Sequence, residues 1–182
     1  QPDGCRCAVL AWRQTEVDAA DQAVDKGKIG QRDFARGPRM ILFADTSALV
    51  KLYVEEESSK AVRVQARGAQ MIAVSRIAWV EAMAAFARRV REHPADAAAI
   101  DVARMRMRAD WPAYAIIEVM QPLVELASEY ADTFALRAYD SVQLASARIL
   151  QEASSEIFRF SCFDTRLQKA ARVLGMQAPG DG

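Results

Sequence analysis

Four short apolar runs punctuate an otherwise helical pattern, and they constrain the fold more than any other feature of the chain. Met40-Ile-Leu-Phe-Ala44 is the cleanest, and Met71-Ile-Ala-Val74, Ala115-Ile-Ile-Glu-Val-Met120 and Ile157-Phe-Arg-Phe-Ser-Cys-Phe163 follow it. A strand covered on both faces has no polar side to alternate with, so strands of a buried parallel sheet read as apolar runs of this kind. The stretches between them carry apolar residues at helical spacing. Asp45-Thr-Ser47 brings N-cap chemistry, and Leu49, Val50 and Tyr53 give the helix behind it an apolar face. Ser58–Arg67 reads as a second helix, ended by Gly68. Ser75 is expected to cap a long helix reaching Glu92, with Pro94 ending it and Ala95–Asp110 as its partner. Pro122 suits the first turn of a helix running to Phe134. Leu136–Glu152 and Thr165–Leu174 complete the set, the latter with Gly175 at its C′ position. Strands alternating with helices in this order spell α/β, with a parallel sheet covered on both faces.

A length of 182 residues suits one domain with a short appendage. At 52% hydrophobic and 26% charged the chain can bury a core and is not of disordered composition. Residues 1–39 differ from the rest. Gly27, Gly30, Gly37 and Pro38 interrupt them, their charges are scattered, and Trp12–Val24 is the only stretch that reads as a short helix. They are expected to form an appendage, with Met40 as a natural start, residues 40–176 as the domain and 177–182 as a frayed end. Lys+Arg and Asp+Glu both number 24, for a formal net charge of +0, which excludes the strongly basic footprint of a protein that coats DNA non-specifically. No apolar run approaches the roughly 20 residues of a membrane span. The Cys5–Trp12 stretch is too short and interrupted for a signal sequence, so the expectation is a cytoplasmic protein without membrane contact.

The residue inventory narrows the chemistry. Three cysteines make no disulfide framework at this length, and Cys5-Arg-Cys7 lacks the second pair or nearby His of a zinc site. His93 is the sole histidine. A nuclease with two histidines as acid and base is excluded, and no nucleophile elbow accompanies His93 for a Ser-His-Asp triad. Hydrolysis by this chain would rest on carboxylates, and hence on a metal.

In open α/β sheets, sites form beyond the carboxyl ends of the strands. Asp45 follows the first apolar run and Asp164 the last. Glu81 and Asp140 sit early enough on their helices to reach the same edge, each a single acid in apolar company. Each has an ordinary reading by itself. Asp45 and Asp164 suit helix caps, Asp140 a helix-start acid, and Glu81 a residue paired with Arg76 or Arg88. Gathered together, carboxylates repel by roughly 4 kcal/mol per pair at ~4 Å and an effective dielectric of ~20. Such a cluster persists if protonated, paired with Arg or Lys, or bridged by divalent cations. Oxygen ligands without His or Cys favour Mg2+ or Mn2+ over zinc or copper.

Four motifs carry a family likeness. They are Asp45-Thr-Ser-Ala-Leu-Val-Lys-Leu-Tyr53, Ser75-Arg-Ile-Ala-Trp-Val-Glu81, Tyr139-Asp-Ser-Val-Gln-Leu-Ala145 and Cys162-Phe-Asp-Thr-Arg-Leu167. In order and spacing they resemble the successive motifs of PIN-domain ribonucleases, most of all VapC-type toxins of bacterial toxin–antitoxin modules, over about residues 40–176. The resemblance implies a PIN-like three-layer α/β/α sandwich with a central, mainly parallel sheet. It also implies a four-acid metal site of Asp45, Glu81, Asp140 and Asp164. Asp45, Glu81 and Asp140 would hold a principal Mg2+ or Mn2+ directly or through water, and Asp164 would serve a second ion or orient water. Ser47 matches the small hydroxyl residue that supports the first Asp, and Thr46 is expected to matter more through its backbone N–H than its side chain. The implied activity is endonucleolytic cleavage of single-stranded or loop RNA by metal-activated water.

A neutral protein must attract RNA locally, since phosphate contacts supply much of the affinity. Arg88, Arg89 and Arg91, with Arg104, Arg106 and Arg108, are the expected basic helical pair, and Trp111 and Tyr114 are candidates to stack bases, against the plainer reading of a solvated face and core aromatics. The resemblance further implies a cognate VapB-like antitoxin whose arm fills the groove, and a homodimer, for which the exposed apolar residues of the first two helices are the candidate surface. Residues 1–39 match nothing in that family. If they bind in cis, Arg32, Arg36 or Arg39 would approach the acids, and deleting the segment should raise activity. Three other readings compete. A phosphoacceptor receiver-like domain wants adjacent acids near its first strand and a Lys after its last. A haloacid-type phosphatase wants Asp-x-Asp where this chain has Asp45-Thr-Ser47. A non-catalytic PIN domain acting as a binding module would not need the four acids, all of which are present.

Overall fold

The computed structural model describes residues 40–177. The expected appendage, with its Trp12–Val24 helix, Cys5, Cys7, Arg32, Arg36 and Arg39, lies outside the described residues, as does the chain beyond 177. Strands β1 (Met40–Ala44), β2 (Met71–Ser75), β3 (Ala115–Ile117) and β4 (Ile157–Ser161) form one sheet in the order β3-β2-β1-β4, with every pairing parallel. β1 is central and almost wholly buried, which is why its sequence is unbroken by polar residues. Among the described residues seven α-helices connect and cover the sheet: α1 (Thr46–Tyr53), α2 (Ser59–Gly68), α3 (Ala78–Glu92), α4 (Ala97–Asp110), α5 (Gln121–Phe134), α6 (Ala138–Ala153) and α7 (Thr165–Val173).

The pleat sends alternate strand residues into two cores. Ile41 and Phe43 of β1, Ala73 of β2 and Phe158 and Phe160 of β4 face α5, α6 and α7, with the Phe43 and Phe160 rings stacked at 5.7 Å. Ala44 and Val74 face α1–α4 on the other side, over Leu49, Val62, Phe86 and Met107. The result is the expected three-layer sandwich. The chain leaves β1 toward β2 and β3, then returns to add β4 on the opposite side of β1. The carboxyl ends of β1 and β4 therefore flank the topological switch point, where α/β sheets open a crevice. This order differs from the 2-1-3-4-5 arrangement of the doubly wound sheets to which receiver domains belong.

Local differences from the sequence reading have local causes. The third strand stops at Ile117 rather than Met120, because Glu118 turns out to the surface to pair with Arg76. The fourth stops at Ser161 rather than Phe163. The Ser161 carbonyl accepts from Asp45 N at 3.0 Å, and Phe163 N then donates to Ser47 Oγ at 2.9 Å instead of to a strand. Ser75 ends β2 and caps nothing. Its hydroxyl meets Ser146 Oγ at 3.1 Å, and α3 begins three residues later without a side-chain cap. Pro94–Asp96 form a separate 3-10 turn ahead of α4. Gly175 does close α7, with φ +74, while Gly175 N and Met176 N reach back to the carbonyls of Arg172 and Ala171. Gln177 is not frayed, since its carbonyl accepts from Phe160 N at 3.0 Å. Among the described residues no helix is long and apolar enough to cross a membrane.

Candidate active site

Both acids at the strand ends are helix caps, as their positions allow. Asp45 opens α1, and its Oδ2 accepts from Ser47 N at 3.0 Å and Ser47 Oγ at 2.7 Å. Asp164 opens α7, and its Oδ1 accepts from Arg166 N at 2.9 Å and Leu167 N at 2.8 Å. Capping does not exhaust either residue. Asp45 is only 6% exposed. Burial pushes its carboxyl from 3.8 up to about 6, against the pull of the Ser47 hydrogen bonds and with a further push from the charge of Glu81. Asp140, in the first turn of α6, is raised by burial and then by the charge of Asp164, with Arg137 and Arg166 pulling the other way.

By the charge each feels, the acids fall into two pairs: Asp45 is raised by Glu81, and Asp140 by Asp164. The buried Cys162 thiol registers both, pushed up first by burial and further by Asp45, Asp164 and Asp140, so it is an inert thiol amid acids. None of the four acids forms an ion pair with another described residue. The two cations weighed as partners of Glu81 are committed elsewhere, Arg76 to Glu118 and Arg88 to Glu92.

Glu81 is instead held by neutral donors. Thr46 Oγ1 donates to Glu81 Oε2 at 2.5 Å, and Gln143 Nε2 donates to the same oxygen at 2.6 Å and to Thr46 Oγ1 at 2.8 Å. The Thr46 side chain thus meets Glu81 directly, beside whatever its backbone N–H contributes. Gln143 was missed by sequence reasoning. The signal was present: a lone amide between Val142 and Leu144, three residues after Asp140 and so on the same face of the helix. That face continues to Ser146, whose hydroxyl meets Ser75 across the interface between α6 and β2.

The donor set is chemically suited to a hard cation, being oxygen-only and free of ion pairs. As they stand, no three His, Cys, Asp or Glu side chains among the described residues are close enough to hold one ion together. The expected basic pair of helices is partly neutralised. Arg88 meets Glu92, Arg89 meets Asp96 and Arg104 meets Asp101, while Arg91, Arg106 and Arg108 are exposed and carry no ion pair with the described residues. Trp111 and Tyr114 are half-buried and pack against the core while keeping part of their surface open. Trp111 makes edge contacts with Trp79 and Tyr114, and the Tyr114 hydroxyl bonds that of Tyr53. The first two helices offer little apolar surface, because Leu49 and Val62 are core, Val50, Leu52 and Tyr53 pack against it, and Val64 alone is strongly exposed.

Comparison with known proteins is consistent with this geometry. Residues 42–173 match the profile of the PIN domain family. Two curated relatives from Mycobacterium tuberculosis, ribonuclease VapC45 and ribonuclease VapC49, are each 28% identical over 135 residues, covering 74% of this chain and 92% of theirs. Among solved structures, FitAcB from Neisseria gonorrhoeae superposes with a TM-score of 0.55 at 16% identity, over 75% of this chain and 95% of that one. VapC20 of Mycobacterium tuberculosis, described as a sarcin-ricin loop cleaving toxin, superposes with a TM-score of 0.51 at 21% identity, over 71% and 94%. At these identities the two structures bear on the fold alone.

Proposed function

The chain belongs to the PIN domain family, and from that premise we propose that it is a Mg2+- or Mn2+-dependent endoribonuclease, the toxin of a type II toxin–antitoxin system. The names of its VapC relatives support the activity. What supports the chemistry is that Asp45 and Asp164 open helices at the ends of β1 and β4, beside the switch point, that Asp45 feels the charge of Glu81 and Asp140 that of Asp164, and that none of the four pairs with a cation among the described residues. A phosphodiester would bring more negative charge to that edge, where Arg137 and Arg166 offset Asp140 in part but form an ion pair with none of the four acids, and a divalent cation would supply the rest. Asp45, Glu81 and Asp140 would hold the principal ion, directly or through water, and Asp164 a second ion or the attacking water. A bound ion would supply positive charge to the site and lower the pKa of water there.

The chain's own residues set the stage. Ser47 keeps Asp45 turned by its Oδ2, Thr46 and Gln143 fix Glu81, and the cap of α7 fixes Asp164. Arg91, Arg106 and Arg108 are the residues proposed to meet the RNA backbone. A VapB-like antitoxin and a homodimer complete the proposal. An arginine from the antitoxin would satisfy these carboxylates in place of metal.

Cleavage of single-stranded RNA, measured with Mg2+, with EDTA and with the Asp45→Asn and Asp140→Asn variants, tests the reading. Chelation should abolish cleavage. Each substitution should lower it by more than the roughly 10–100-fold typical of an outer-shell partner. Cleavage that survives both treatments refutes the mechanism. A folded protein that binds RNA without cutting it under any metal condition would instead favour the non-catalytic binding module.

A further inference from the structure

Gln143 is 1% exposed, a primary amide buried among Leu144, Ala147 and Leu150 of the same helix. Its Nε2 gives both of its hydrogen bonds to the site, to Glu81 Oε2 and Thr46 Oγ1. Its Oε1 is buried with no hydrogen-bond partner, the one such buried side-chain atom among the described residues. Turning the amide over would not help, since Oε1 would then face the Glu81 carboxylate, oxygen against oxygen. A residue kept for packing alone would be better replaced by Met or Leu, which would leave no orphaned oxygen. Gln143 is thus retained for its donor, and what the donor does is visible at Glu81. Thr46 and Gln143 converge on Oε2, and no hydrogen bond to Oε1 is formed by the described residues. The carboxylate is clamped by one oxygen with the other free to accept.

We propose that Gln143 is a positioning residue for Glu81, clamping Oε2 so that Oε1 is presented to a divalent cation. The inference rests on the metal-dependent reading above and extends it to a residue outside the four acids. It also explains the placement of Gln143 three residues after Asp140. One face of α6 then carries one acid and the clamp for another, tying together the two carboxylate pairs.

The test is calorimetric titration of the full chain with Mn2+, with no RNA present, for the wild type, Gln143→Met and Gln143→His. Met conserves length and volume but cannot donate, whereas His can. The Met variant should melt in EDTA at the wild-type temperature or above, because the orphaned oxygen is gone, yet bind Mn2+ roughly 10–100-fold more weakly. The His variant should recover most of the affinity. A folded Met variant with wild-type Mn2+ affinity overturns the proposal while leaving the nuclease reading intact. A wild type that binds no Mn2+ overturns both. Should the Met variant fail to fold, the wild type alone decides by NMR. The side-chain amide resonances of Gln143 should shift on adding Mg2+ with the midpoint seen for binding, and resonances unmoved at saturation overturn the proposal.

Discussion

Asp45 is charged at neutral pH against the preference of its surroundings. Its carboxyl is pushed from 3.8 to about 6, chiefly by burial. Between those values the folded chain binds more protons than the unfolded one, so this group makes stability fall as pH rises from about 4 to about 6 and stay level above. At about 1.4 kcal/mol per pH unit the interval corresponds to about 3 kcal/mol. Asp45→Asn keeps an acceptor for Ser47 and removes the charge. In EDTA, the variant's stability relative to wild type should therefore climb by up to about 3 kcal/mol across that pH window, measured by urea unfolding at pH 4, 5, 6 and 7. A difference that does not change with pH would show that the Asp45 carboxylate is not strained by its burial. The same residue was legible as an acid at a strand end, but its burial was not, because exposure at the mouth of a crevice depends on how far α1 and the β4 exit close over it.

At the level of elements, the cap of α7 separates two roles that coincide in one side chain. Asp164 Oδ1 satisfies the amide groups of Arg166 and Leu167, and its charge is felt by Asp140. Asn caps helices about as well as Asp, while Ala forfeits about 1 kcal/mol. Asp164→Asn should keep stability within a few tenths of a kcal/mol of wild type and still lower RNA cleavage, whereas Asp164→Ala should lower both. Thermal unfolding read beside the cleavage rate distinguishes them, and an Asn variant with full activity would reduce Asp164 to a cap. The elements themselves were largely legible. Met40–Ala44 was recognisable end to end because a doubly buried strand admits no polar residue. The longer expected runs at Ala115–Met120 and Ile157–Phe163 were cut short by tertiary bonds, the Arg76–Glu118 pair and the Phe163-to-Ser47 hydrogen bond, which no local pattern announces.

Across the whole molecule the charge balances to +0, so RNA must be drawn by a few local cations. Three of the six arginines expected to do this are paired with acids on their own helices or at the adjoining turn, leaving Arg91, Arg106 and Arg108. Each phosphate contact on a single strand contributes about 0.7 to the slope of log K against log salt. Replacing all three with Ser should flatten that slope by about 2, measured by RNA binding in EDTA at several salt concentrations. An unchanged slope would move the RNA path to another face.

By itself the sequence determined the layer order, the burial of the sheet and most helix limits, because apolar periodicity, caps and residue chemistry are properties of a few neighbouring positions. Only the tertiary structure decided that Glu81 is held by Thr46 and Gln143 rather than by Arg76 or Arg88, and that the acids pair as Asp45 with Glu81 and Asp140 with Asp164. The grip on Glu81 rests on distances of a few ångströms between side chains brought together from 35 to 97 positions apart along the chain, and a linear pattern carries no information at that resolution.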